Sequence, residues 1–289
     1  MSVLTLLLPE LARVERTPQL ALWLARGDRL ADARAGREAA LRECFEFTGT
    51  TLPMAALTRS LDAGDASAAV WVRADPAHAM ADAVTARLMA CGDLGLTQAE
   101  SDDLASALRP LFGDAGFLLE AARPDRWYLR CPLDARMPVF ADPRDVLGDD
   151  LMRHLPCGGN ERQWRRLFNE AQVILHNHPV NARRVQRGAL PVNSLWFWGA
   201  GKLPGWVRTQ FGTVASEDPA VAALAGLAKI SVVNVPTALA NSKVNVLLDV
   251  AVVPEIGARR FFCIDLKFAS GERVHYRHGH RWRLWRRVR

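Results

Sequence analysis

Pro191-Val192-Asn193-Ser194-Leu195-Trp196-Phe197-Trp198-Gly199-Ala200-Gly201-Lys202-Leu203-Pro204 is the most informative stretch of this 289-residue chain. Val192 to Trp198 is a mostly apolar run with two Trp, the pattern of a buried strand. A glycine-rich segment follows it. Gly199 and Gly201 accept dihedrals closed to other residues and let backbone approach another group closely. Exposed amides in such a loop can cradle an anion. Lys202 adds a point charge there, and Arg183 or Arg184 a planar fork. The plainer reading makes Trp196 and Trp198 core residues and the glycines a tight turn. A short Gly-rich loop does not decide between the two.

Working outward, periodicity and punctuation suggest alternating strands and helices. Val3 to Leu8 suits a strand, and Thr17 to Arg26 and Ala31 to Phe47 suit helices rich in Ala, Leu, Arg and Glu. A short helix after Pro53 reaches Leu61. Ala68 to Ala74 reads as a strand closed by Asp75-Pro76, and Thr85 to Ala90 as another. Thr97 and Glu100 have capping-box spacing, opening a helix expected to stop at Pro110. Gly116 to Ala121 and Asp125 to Cys131 form a hairpin. Pro143 to His154 is helical, and Asn160 caps a long helix from Glu161 to Asn177. Pro219 to Ile230 is a small-residue helix. Val244 to Val253, Arg260 to Phe268 and Glu272 to Arg277 are three strands, the last two joined at Ala269-Ser270-Gly271. The irregular alternation indicates an α/β (α+β) fold, a mixed β-sheet flanked by helices.

Composition agrees with a folded domain: 49% hydrophobic and 24% charged residues leave no case for disorder. No run is long and apolar enough to span a bilayer. The apolar start lacks a basic segment and is broken by Pro9-Glu10, so it reads as a strand rather than a signal peptide. Cys44, Cys91, Cys131, Cys157 and Cys263 are scattered and odd in number, which implies reduced thiols in a cytoplasm. The formal net charge of +6 is misleading. Arg273 to Arg289 holds seven Arg and no acid, and removing those charges leaves −1 for the rest. The basic character is a property of the tail.

The strings HPVNARR and NSLWFWGAGKLP, separated by Gly188, resemble the archaeal-type cofactor-independent phosphoglycerate mutases, which carry a comparable Asn, Trp-Gly and Gly-Pro pattern. Val72-Arg73-Ala74-Asp75, Leu96-Thr97 with Glu100, Arg126-Trp127-Tyr128-Leu129, Asp145-Val146-Leu147-Gly148 and His154-Leu155-Pro156 resemble further parts of that family. The similarity covers roughly residues 68 to 230. In that family this region is the insertion, or cap, covering the substrate over an alkaline-phosphatase-like catalytic domain. The chain also resembles a small proteobacterial family of similar length, described either as an Rpf-type regulatory protein or as phosphoglycerate mutase. The resemblance implies three segments: 1–67, a strand and helices packed on the core; 68–230, cap-like; and 231–289, strands and a basic tail. It implies a small phosphorylated or carboxylated ligand held near Arg73, Asn181, Arg184, Asn193, Trp198, Gly199, Gly201 and Lys202. The asparagines would orient it, the cations supply charge and the glycines supply backbone donors.

The family's chemistry requires a Ser or Thr nucleophile and two divalent cations on Asp and His ligands. Here no Asp-Gly follows the first strand, and the segment after Ile230 holds only Asp249 and Asp265 as aspartates. His176-Asn177-His178 and His278-Gly279-His280 have no carboxylate or Cys at ligand spacing. Ser194, Ser216 and Cys157 have no supporting His/Asp set. The expectation is therefore a non-catalytic regulatory or metabolite-binding protein without cofactor or metal. Convergence of several Asp and His side chains would overturn it. A metal-dependent phosphoglycerate mutase or related phosphoryl transferase is the alternative, and a nucleic-acid-binding protein acting through the basic tail is the second alternative.

The tail carries Arg281, Trp282, Arg283, Trp285, Arg286 and Arg287. Arg with Trp suits nucleic acid or an anionic membrane surface. The same pattern also suits a final edge strand blunted by outward Arg.

Overall fold

The computed structural model describes residues 2–81, 85–156, 158, 160–241, 243–257, 261–283 and 285–286. Cys157 and Arg287, both named above, lie outside these. So does Arg260, the expected start of a strand. The fold is mixed α/β, as the alternation indicated. The chain divides into two compact units, Met1–Thr50 with Pro204–Arg289, and Thr51–Leu203. The boundaries therefore fall at 50/51 and 203/204 rather than at 67/68 and 230/231.

The first unit is built on a seven-stranded sheet. Its order is Ser231–Val232, Thr213–Ala215, Val246–Asp249, Val3–Leu8, Cys263–Phe268, Arg273–Arg277 and Asp28–Arg29. The first five strands run parallel and the last two pairings are antiparallel. Alternation sorts the faces: Leu4, Leu6, Leu8, Ile264, Leu266, Phe268, Val274 and Tyr276 enter one core with Leu20 and Trp23 of the Pro18–Arg26 helix. Full burial of one such side chain stabilises the fold by about 1.5–3 kcal/mol. Thr17 caps that helix, its hydroxyl accepting from the Leu20 amide at 3.2 Å.

Only Arg37–Arg42 is helical in the span from Ala31 to Phe47 that composition assigned to a helix. The segment before it follows the sheet edge, with Leu30 N–H donating to Arg273 O and Ala33 N–H to Gly271 O. Glu46–Phe47 pairs with Val207–Arg208. These pairings outweigh helix propensity differences of a few tenths of a kcal/mol per residue.

In the second unit, Val70–Ala81 is the central strand. Ser194–Gly201 lies along one edge, and Arg126–Cys131 and Ala86–Cys91 share the other, with Leu118–Arg123 outside Arg126–Cys131. The expected closure at Asp75-Pro76 does not occur. Asp75 and Pro76 stay in register with Trp196 and Leu195, and the Asp75 carboxylate is satisfied internally. The Thr97 capping box forms with both of its bonds. Its helix, Gln98–Asp114, runs through Pro110 because fully buried Leu108 and Phe112 anchor the last turns. Pro143 to His154 is two short pieces, Pro143–Val146 and a 3₁₀ turn at Leu151–His154. Asn160 precedes the Glu161–His176 helix in a left-handed conformation, φ 60°, and makes no side-chain cap. Trp164 of that helix stacks on Phe117 at 5.1 Å and meets Phe197 edge-on at 5.2 Å.

Candidate functional site

The glycine segment is strand rather than open loop. Gly199 and Gly201 belong to the Ser194–Gly201 strand, and Gly201 pairs with Trp71. A Cβ on Gly199 would sit 2.7 Å from the Met54 Cβ, and one on Gly201 2.6 Å from the Pro53 Cβ. The glycines admit the start of the Met54–Asp62 helix against the strand.

The other residues expected at the ligand are mostly structural braces. Arg73 is buried, its Nε donating to Asp75 Oδ1 at 2.8 Å and its Nη1 to Thr58 Oγ1 at 3.3 Å. Trp198 Nε1 donates to the other Asp75 oxygen at 2.7 Å. Burial pushes the Asp75 carboxyl up, against the pull of Arg73 and these donors. Arg184 is fully buried and donates to Glu100 Oε2 at 3.1 Å, Leu94 O at 2.6 Å and Leu190 O at 2.9 Å. Asn181 donates to Leu175 O and Val192 O and accepts from Val192 N–H. Asn193 bridges both backbone groups of Ala79. Lys202 is exposed. Ser194, weighed as a nucleophile, is buried and bonded to Gln172.

A second polar constellation, missed in the sequence, lies in the first unit. In parallel sheets, ligand sites form beyond the carboxyl ends of the strands. Ser216 directly follows Thr213–Ala215, Asp249 ends Val246–Asp249, and Asp218 caps the Pro219–Leu227 helix through Ala220 N–H at 2.8 Å. Arg37 joins them. Its Nη2 reaches Asp218 Oδ2 at 2.6 Å and Asp249 Oδ2 at 2.7 Å, and its Nη1 reaches Asp249 Oδ1 at 2.9 Å. Ser216 Oγ donates to Asp249 Oδ2 at 2.5 Å. Burial works against the guanidinium charge, but the Asp249 and Asp218 carboxylates outweigh it and hold Arg37 above its usual pKa. Arg37 is delivered by sheet-edge pairing, with Gly36 N–H on Ala269 O at 2.7 Å, so no local motif announces it.

This arrangement does not fit the two cations that the mutase resemblance implies. A cation pair needs several open anionic or imidazole donors. The two carboxylates are already bonded to a guanidinium. Among the described residues, the one cluster of three or more metal-ligating groups is Cys263, Asp265 and His275.

The His pairs and the tail are taken up locally. His178 Nδ1 accepts from Val180 N–H, and His280 Nε2 lies 3.4 Å from Asp28. The final strand ends at Arg277, and His278–Trp282 is a 3₁₀ turn, so the tail does not form the expected edge strand there. Arg283 reaches Asp28 and donates to Arg26 O at 3.1 Å, and Arg286 donates to Gly27 O at 2.6 Å. Both serve the carboxyl end of the Pro18–Arg26 helix, where cations are favoured. Arg281 lies 4.7 Å from the Trp282 ring, and Trp282 and Trp285 are exposed.

No helix among the described residues is long and apolar enough to cross a membrane. No protein-family model matches the chain. Over 87 residues it is 36% identical to a probable 2,3-bisphosphoglycerate-independent phosphoglycerate mutase of Geobacter sulfurreducens, covering 29% of this chain and 22% of that one. Over 94 residues it is 35% identical to the corresponding mutase of Methanothrix thermoacetophila, covering 32% and 24%. Neither match reaches a quarter of the relative's length. Among solved structures, a cofactor-independent phosphoglycerate mutase from Thermoplasma acidophilum aligns over 96% of this chain and 90% of its own, at 18% identity and TM-score 0.38. The PH0037 protein from Pyrococcus horikoshii aligns over 86% and 70%, at 16% identity and TM-score 0.43. The two sequence relatives support the mutase resemblance and not the finer Rpf-type one, and part of this chain is related in sequence to cofactor-independent phosphoglycerate mutases.

Proposed function

We propose that this chain is a non-catalytic, phosphoglycerate-mutase-like protein of the cytoplasm that binds a small phosphorylated or carboxylated metabolite in a regulatory role. The observation that carries the non-catalytic half is the Arg37 clamp. A guanidinium held by Asp218 and Asp249 neutralises the carboxylates at the edge where parallel-sheet proteins bind ligands. The metabolite half rests on the sequence relation to phosphoglycerate mutases. Of the eight residues expected at the ligand, Lys202 is the exposed cation, while Arg73 and Arg184 act through the strands and helices they brace.

Two measurements test this. A mutase assay with added Mn²⁺ or Mg²⁺ is expected to show no turnover. A thermal-shift screen with glycolytic phosphates, 3-phosphoglycerate first, and nucleotides is expected to raise the melting temperature for one phosphorylated class, and less so in Lys202→Ala. Ligand at a hundred times its Kd stabilises by about 2.7 kcal/mol. No shift with any compound overturns the metabolite reading.

The second reading is a metal-dependent mutase or related phosphoryl transferase. The 36% identity to a probable mutase favours it. Turnover that vanishes with a chelator would establish this reading and dismiss the first.

A further inference from the structure

The antiparallel pairing of Cys263–Phe268 with Arg273–Arg277 assembles a set of side chains whose chemistry the phosphoglycerate-mutase relation does not use. Asp265 stands directly opposite His275, and Cys263 lies two residues before Asp265. The period of two puts all three on one face of the sheet, because Ile264, Leu266, Val274 and Tyr276 point into the core on the other. One donor atom from each of Cys263, Asp265 and His275 lies within 4.8 Å of the others. His275 Nδ1 is 2.5 Å from Asp265 Oδ1, and Arg277 Nε donates to His275 Nε2 at 3.0 Å. His275 is thus held at both ring nitrogens, by Asp265 and by Arg277, and a metal ion would take the place of one of these contacts. Cys263 is buried, and the other two side chains are partly open.

We propose that Cys263, Asp265 and His275 form a three-donor site for a zinc-class divalent transition metal, with a fourth position left to water or an exchangeable ligand.

The donor set selects the metal. A thiolate, an imidazole and a carboxylate suit a borderline ion such as Zn²⁺ or Co²⁺, whereas Mg²⁺ and Ca²⁺ require oxygen ligands. Bonds of about 2.0–2.3 Å to a tetrahedral ion place donors about 3.3–3.8 Å apart. Donors already within 4.8 Å reach that spacing by side-chain rotation. The strand carrying Cys263 and Asp265 is paired on both sides, with Val3–Leu8 and with Arg273–Arg277, so the backbone spacing is fixed beforehand.

The site is separate from the Arg37 clamp. Cys263 pairs with Val3 and Asp249 with Leu7, so they lie about 13 Å apart along the Val3–Leu8 strand. Coordination takes the Cys263 sulfur as thiolate, its proton passing to solvent.

The test uses the full, reduced chain stripped with chelator. Co²⁺ titration is expected to produce a thiolate-to-cobalt charge-transfer band saturating at one equivalent and displaced by Zn²⁺. Cys263→Ser should abolish the band, while Cys91→Ser should leave it intact. His275→Gln, at a partly exposed position, serves as the second variant where Cys263→Ser fails to fold. It should weaken Zn²⁺ binding, read by calorimetry, by roughly tenfold or more. The absence of a charge-transfer band, or a band unchanged in a folded Cys263→Ser or His275→Gln, overturns the proposal.

Discussion

Both units join arginine to carboxylates, but in different surroundings. In the second unit, Arg184 is fully buried and meets Glu100, two carbonyls of the Leu94–Gly95 turn and Leu190 O. Arg73 is similarly enclosed with Asp75. In the first unit, Arg37 meets Asp218 and Asp249 beyond the carboxyl ends of the parallel strands and keeps 29% of its side chain exposed. A buried charge is tolerated only when nearly every donor and acceptor is paired, so the buried pairs act as structural braces. The Arg37 pair is more open than these, so it carries less stability. Under the proposed function, the same residue chemistry serves architecture in one place and closes a site in the other.

The largest expected effect tests the brace. Arg184→Met leaves the Glu100 carboxylate to the more exposed Arg187 and the Thr97 amide, and strips the carbonyls of Leu94 and Leu190 of their guanidinium donor. Breaking such a pair costs about 3–5 kcal/mol. Urea unfolding should show that loss, and Glu100→Gln in the same background should recover part of it. A loss below about 1 kcal/mol would put Arg184 in the same class as an exposed pair and break the comparison.

The middle effect tests the clamp. Arg37→Ala should cost about 1–2 kcal/mol, a buried-pair loss reduced by solvent screening. The more telling readout is divalent cation. With Asp218 and Asp249 freed beside Ser216, Mg²⁺ or Mn²⁺ should raise the melting temperature of Arg37→Ala but not of the parent chain. A variant indifferent to both ions would mean that Arg37 serves the fold alone, and the non-catalytic reading would lose its support.

Local chemistry was legible in the sequence, and pairing at a distance was not. The capping box of Thr97 and Glu100 is a four-residue signal and forms as read. The strand Val3–Leu8, the hairpin ending at Cys131 and the turn at Ala269-Ser270-Gly271 are likewise short-range. Pro110 and Pro76 misled because their penalties are local, while the burial that overrides them is tertiary. Gly199 and Gly201 announce a close approach, and its partner, the Pro53–Met54 segment, is set by tertiary packing that no local pattern names. Arg37 and Asp218 are 181 residues apart, and no spacing rule joins them. Cys263, Asp265 and His275 are close in sequence but straddle a hairpin. The two-residue period and the turn length would have placed them on one face had the register been fixed first.

The smallest expected effect concerns a third setting for arginine, the tail. Arg283 and Arg286 donate to the carbonyls of Arg26 and Gly27, at the negative end of the Pro18–Arg26 helix. Such contacts contribute about 0.3–1 kcal/mol. The double variant Arg283→Ala, Arg286→Ala should therefore lower stability only slightly. Its affinity for DNA or RNA, measured against salt, distinguishes helix capping from phosphate binding. Each arginine that neutralises a phosphate contributes about 0.9 to the slope of log affinity against log salt. Arginines held on their own helix contribute nothing, so the slope should not change. A slope reduced by about one per arginine would show that these side chains leave the helix end to meet nucleic acid. The tail would then stand apart from both the brace and the clamp, as cations that fold-internal acceptors hold only until a stronger anion arrives.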